Sequence, residues 1–165
     1  MFRPKPIKPG PGQESVWDYP RPAIAELTSK RIQIVFNGVL IADTTRAYRV
    51  LETSHPPSYY LPPEDIESEY FQSGTGRSMC EWKGPAKYYT IEVNGKRAEN
   101  AAWYYPTPTP SFEKMKNYVA FYLSMMDEGR VAGEIATPQA GGFYGGWVTK
   151  DIVGPMKGEP GTWGW

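Results

Sequence analysis

The chain of 165 residues has a single cysteine, Cys80, and a single histidine, His55. One thiol excludes an internal disulfide and a four-thiolate zinc site. No His, Cys or acidic residues recur at metal-ligand spacing such as H-x-x-x-H or C-x-x-C, so no metal and no cofactor is expected. Net charge is missing too: 18 basic and 18 acidic residues cancel. That removes the electrostatic footprint through which nucleic acid or an anionic membrane is bound. No apolar run approaches the roughly 20 residues that span a bilayer. The opening M-F-R-P-K-P lacks the apolar centre of a signal peptide, and the protein is expected in the cytoplasm. A phosphate loop is absent as well. Ser73–Ser78 (S-G-T-G-R-S) has glycines and an arginine but does not open a predicted helix, so it is read as a surface turn.

Aromatic residues are abundant. Six Trp, twelve Tyr and six Phe stand beside 17 Gly and 17 Pro, a composition that fits a loop-rich, mainly β protein. Residues 1–13, rich in Pro, Gly and Lys, read as an extended arm that Val16, Trp17 and Tyr19 pin to the body. Alternation of Ile32, Ile34 and Phe36, then Asn37-Gly38, then Val39–Asp43 predicts a hairpin. Ala47–Leu51 is a third strand, and Tyr59–Leu61 and Glu69–Phe71 are short strand candidates. Gly74–Gly76 is expected to turn the chain. A second hairpin runs from Lys87 through Asn94-Gly95 to Tyr105. Met115, Tyr118, Val119, Tyr122 and Met126 recur at helical spacing behind Ser111 as N-cap, which predicts one packed α-helix over 112–126. Residues 14–127 form the β-rich domain. Residues 128–165 are a Gly- and aromatic-rich extension, either a strap on the domain or a docking segment for a partner or a second copy of the chain.

The stretch Arg49–Asp65 (R-V-L-E-T-S-H-P-P-S-Y-Y-L-P-P-E-D) sets His55 on a corner stiffened by two proline pairs. Glu52 lies three residues before it. A thiolate–imidazole pair of Cys80 and His55, with Glu52 orienting the ring, is one arrangement these residues allow. Lys83, three residues after Cys80, would then stabilise an anion. The other arrangement is a binding pocket. Tyr59, Tyr60, Trp82, Tyr88 and Trp103 supply aromatic walls, with Asn100 and the charged groups as directed polar atoms, the usual makeup of a small-molecule site. Ordinary core packing of the same rings is the competing interpretation.

Six blocks of the chain carry a family resemblance: E-S-V-W-D-Y-P-R-P (Glu14–Pro22), I-A-D-T (Ile41–Thr44), Arg49–Asp65, C-E-W-K-G-P-A-K-Y-Y (Cys80–Tyr89), E-N-A-A-W-Y-Y-P (Glu99–Pro106) and V-A-F-Y (Val119–Tyr122). In this order they resemble the bacterial domain of unknown function family 427, sometimes labelled nucleotidyltransferase-like. The resemblance implies a pair of antiparallel sheets similar to the β-tent folds of methionine sulfoxide reductase B and of the ligand-binding domain of cereblon. It implies no catalytic activity, and this chain lacks the four cysteines that hold zinc in many relatives. It places Glu52, His55, Tyr60, Cys80, Trp82, Lys83, Asn100 and Trp103 among signature positions. The function expected is binding of a small molecule beside His55, with a non-enzymatic interaction protein as the alternative.

Overall fold

A computed structural model describes residues 3–165; Met1 and Phe2 of the arm lie outside the described residues. Among the described residues fifteen strands follow in chain order: β1 (Glu14–Ser15), β2 (Ile24–Thr28), β3 (Ile32–Phe36), β4 (Val39–Thr44), β5 (Ala47–Leu51), β6 (Ser58–Tyr60), β7 (Phe71–Cys80) and β8 (Gly84–Val93). They continue as β9 (Lys96–Tyr104), β10 (Val119–Phe121), β11 (Glu128–Val131), β12 (Glu134–Ile135), β13 (Thr137–Pro138), β14 (Trp147–Val148) and β15 (Ile152–Val153). The fold is mainly β, as the composition and alternation predict. Two four-stranded sheets, β10-β9-β8-β7 and β12-β11-β3-β4, and a three-stranded sheet, β2-β5-β6, make up the body. All three are antiparallel.

Both Asn-Gly pairs turn hairpins. Asn37 and Gly38 have φ of 48° and 77°, and Asn94 and Gly95 have 47° and 84°. These left-handed values match the right-handed twist of the flanking strands and suit Asn and Gly best. Gly74–Gly76, by contrast, does not turn the chain. It lies inside β7, where the pairing with β8 shifts between Ser73 and Arg77.

The α-helix expected over 112–126 is not formed. A 3₁₀ segment spans Pro110–Met115, then β10, then a single 3₁₀ turn at Leu123–Met125. Asn117 at φ 64° breaks any helical run. Val119 exchanges both backbone hydrogen bonds with Leu61, each 2.8 Å long. Sheet pairing has overridden a helical spacing of apolar residues, as tertiary context commonly does.

Strand alternation creates two apolar layers. On β10, Val119 and Phe121 join a core with Ile32, Ile34, Phe36, Ile41, Ile91 and Val93, while Ala120 joins a second cluster. On β6, Tyr59 enters the first core and Tyr60 the second. The second cluster holds Trp103, Tyr105, Phe112 and Met115 beside Val50 of the three-stranded sheet.

The chain beyond Asp127 is woven into this body. β11 pairs with β3 across four residues, and Trp147 is buried in the first core. The N-terminal arm lies against the same segment. Ile7 N–H donates to the Gly154 carbonyl at 2.9 Å, and β1 pairs in parallel with β15.

Candidate functional site

The His55 corner is fixed from three sides. Ser54 has φ 73°, and its N–H donates to the Val16 carbonyl at 3.0 Å. Its own carbonyl accepts from Lys157 N–H at 2.9 Å. The His55 N–H closes the turn on the Glu52 carbonyl at 3.0 Å, and the Trp147 N–H bonds to the Pro57 carbonyl at 2.7 Å. The N-terminal segment and the extension thus both clamp the corner.

This clamp sets the imidazole. Gln139, buried, donates from Nε2 to the Lys157 carbonyl at 2.7 Å, and its Oε1 accepts from Gly146 N–H at 3.2 Å. Those two bonds fix the orientation of the amide, since a flipped amide would set oxygen against carbonyl and NH₂ against N–H. The second hydrogen of Nε2 then points at His55 Nδ1, 3.1 Å away. Nδ1 is therefore the acceptor, and the proton of the neutral ring sits on Nε2, which faces Glu52 Oε2 at 3.3 Å. Burial pushes the Glu52 carboxyl up, but the contact with His55 Nε2, with the charges of Lys83 and Arg21, outweighs it and holds it below its ordinary value. Arg21 Nη2 stands 3.8 Å from the same oxygen.

The opposite wall comes from the β7–β8 turn. Cys80 pairs with Gly84 across it, and the Lys83 carbonyl accepts from Thr109 N–H at 3.1 Å. Gly84 has φ 107°, and a Cβ there would press on the Thr107 carbonyl at 3.0 Å; only glycine fits this approach. The turn so anchored lays the Lys83 ammonium over the faces of Tyr105 (6.0 Å) and Phe112 (5.9 Å). Burial works against its charge, yet Tyr60, Cys80 and Glu52 hold its pKa above the ordinary lysine value.

Between these walls lies a cavity of about 300 Å³. It gathers His55, Glu52, Cys80, Lys83, Tyr60, Tyr88 and Trp103 of the residues anticipated from the sequence. Trp103 Nε1 donates to the Tyr60 hydroxyl at 3.2 Å, and its ring lies 4.6 Å from that of Tyr122. Ser78 Oγ and the Tyr88 hydroxyl are 3.0 Å apart at the rim. Tyr105, Tyr122, Gln139, Phe143, Tyr144 and the Gly145-Gly146 pair also line it. A Cβ on Gly145 would collide with the Trp103 ring, and one on Gly146 with the Pro56 carbonyl at 2.6 Å. These glycines let the backbone of the extension close against the cavity.

Three anticipated residues stand elsewhere. Tyr59 points to the other side of β6, into the first core, its ring 5.2 Å from Trp147. Trp82 packs on the outside of the second cluster and does not line the cavity. Asn100, at φ 51°, accepts from the N–H groups of Thr75 (3.0 Å) and Gly76 (2.9 Å) and braces the irregular part of β7. Its part is to hold the sheet. Both His55 nitrogens are engaged, one by Glu52 and one by Gln139, which leaves neither for the Cys80 sulfur. Cys80 and His55 share the cavity without forming a nucleophile–base pair. Among the described residues no group of three His, Cys, Asp or Glu side chains comes together to hold a metal.

A family model labelled NTP_transf_9 and described as a domain of unknown function, DUF427, matches residues 24–132. The chain belongs to the DUF427 family. No curated protein matches it. The DUF427 match takes in β2 to β11 and so holds Glu52, His55, Cys80, Lys83 and Trp103. Gln139, Tyr144 and the two glycines come from beyond its end. Among the described residues no helix is long and apolar enough to cross a membrane.

Proposed function

We propose that this DUF427 protein binds a small polar molecule containing a ring, in the cavity beside His55, in the bacterial cytoplasm. One observation carries the reading. A single concave site gathers the chain's only histidine, its only cysteine, a lysine and a glutamate against walls of Tyr60, Tyr88, Trp103, Tyr105 and Tyr122. Apolar rings with a few directed polar groups are what ligand sites are made of. One polar group is also pre-set: His55 is held by Gln139 and Glu52, so its binding geometry costs little ordering. No nucleophile–base pair is posed, and binding rather than turnover is the function proposed.

The test is thermal unfolding of the full chain against nucleotides, lactams, sulfoxides and single-ring aromatics, repeated with His55→Ala. Ligand at about 100 times its Kd adds about 2.7 kcal/mol, which at this size raises Tm by roughly 5–10 °C. The expected result is such a rise for wild type and its loss in His55→Ala. A panel in which nothing raises the wild-type Tm defeats the proposal.

A second reading has its own support. Phe143 and Trp163 are 80% and 85% exposed on the extension, and apolar rings so placed suit a contact with a partner or a second copy of the chain. Sedimentation of the chain beside Phe143→Ser/Trp163→Ser separates the two, since only a contact surface of this kind would yield a smaller species in the variant.

A further inference from the structure

We propose that the ligand of this cavity is a small anion, a single-ring carboxylate whose charge meets Lys83 and whose ring lies against Trp103. The inference rests on the cavity being the ligand site, as proposed above, and adds the chemical class that fits it.

The charges decide the sign. Glu52 is already committed, with His55 Nε2 at 3.3 Å and Arg21 at 3.8 Å. Lys83 is not. Among the described residues no carboxylate lies within 4.0 Å of its Nζ. It sits instead over two aromatic faces, with Cys80, the Tyr60 hydroxyl and, beyond ion-pair distance, Glu52 as its polar surroundings. Its Nζ, partly withdrawn from water and in no ion pair among the described residues, can take an incoming carboxylate through charge-assisted hydrogen bonds. A cation or a second amine would meet like charge.

The walls decide the shape. A volume near 300 Å³ is at the bottom of the roughly 300–1,000 Å³ common for ligand sites, which suits one ring and leaves out a nucleotide. Trp103 and Tyr122, 4.6 Å between centroids, offer flat surface for that ring to stack or meet edge-on. The nearby phenols do not compete for the positive charge. Burial pushes the Tyr105 and Tyr122 hydroxyls well above the ordinary phenol value, so both remain neutral hydrogen-bond donors.

Three probes of one shape test this: benzoate, benzamide and benzylamine, titrated into the full chain and followed by calorimetry and tryptophan fluorescence. Benzoate should bind at least tenfold more tightly than benzamide, with benzylamine weakest. Lys83→Met should remove at least tenfold of the benzoate affinity and leave benzamide within about twofold, while Lys83→Arg keeps the preference. Should Lys83→Met fail to fold, the wild-type ranking of the three probes decides alone. Benzamide binding as tightly as benzoate, or Lys83→Met leaving benzoate unchanged, overturns the anion and leaves the cavity reading standing. The same holds if none of the three binds while another compound of the wider panel raises the Tm. No binding by any compound overturns both.

Discussion

The β7–β10 sheet has two faces, and they are built from different materials. One carries Ile91, Val93, Val119 and Phe121 against Ile32, Ile34, Phe36 and Ile41. The other carries Trp103 beside Tyr60, Tyr105 and Phe112, with Lys83 at its edge. The first is dominated by branched aliphatic chains, which interdigitate to crystal-like density around the rings of Phe36, Phe121 and Trp147. Flat rings with hydroxyls and an indole N–H are held apart by the hydrogen bonds they require, as Trp103 and Tyr60 show. The first face stabilises the domain. The second leaves a cavity lined by groups that can recognise something.

The most severe way to break that comparison is truncation on each face. Phe121 is fully buried in the closed core, and Phe121→Ala is expected to cost about 3–5 kcal/mol. Tyr122, its neighbour on the cavity side, borders space that already exists, so Tyr122→Ala should cost less than half as much while enlarging the site. Urea midpoints of the two variants give the answer. Equal losses would mean that the second face is closed core as well.

The closed face was legible in the sequence, and the cavity only in part. Period-two alternation and the two Asn-Gly turns located β3, β4, β8 and β9, because local geometry alone dictates them. Alternation also held an unread signal: Tyr59 and Tyr60 are adjacent on a strand, so only one of them could reach the pocket. Asn100 inside a strand pointed to a left-handed residue at an irregularity rather than to a ligand. The helix over 112–126 failed because Asn117 reverses the chain locally and Leu61 captures Val119, an encounter of residues far apart in sequence. Gln139 had no local signal at all. It lies 84 residues from His55 in a segment of short strands and glycines, and only the folded chain brings them together.

Gln139 is where the comparison between family domain and extension can be sharpened. The residue ties His55, Lys157 and Gly146 with one amide. Gln139→Leu keeps the volume and leaves the Lys157 carbonyl and the Gly146 N–H without partners, at an expected cost of roughly 1–3 kcal/mol. The loss should be local first. Hydrogen exchange at Gly146 and Trp147 should quicken before exchange in β8 and β9 does. Uniform acceleration across both regions would show that extension and body unfold as one unit.

The smallest effect lies in the response to pH, where the cavity and its rim respond at opposite ends of the scale. Tyr105 has its hydroxyl pushed up by burial, and further by Tyr60, Cys80 and Tyr88. A group whose folded pKa is raised holds its proton after the unfolded chain has released it. Its contribution is complete below about pH 10, the ordinary phenol value, and declines above it by up to about 1.4 kcal/mol per pH unit. Glu52 behaves in the opposite sense. Its carboxyl is held below its ordinary value near 4.5, so its contribution is present above that value and is lost as pH falls beneath it. Tyr105→Phe removes the ionisable group and keeps the ring. Wild type and variant should therefore share one acid limb, while at pH 11 the variant should have declined about 1.4 kcal/mol less than wild type from its own value at pH 8. Urea midpoints at pH 4, 8 and 11 measure all three points. Parallel alkaline limbs would mean that the Tyr105 hydroxyl already faces water, and that the wall beneath Lys83 is open.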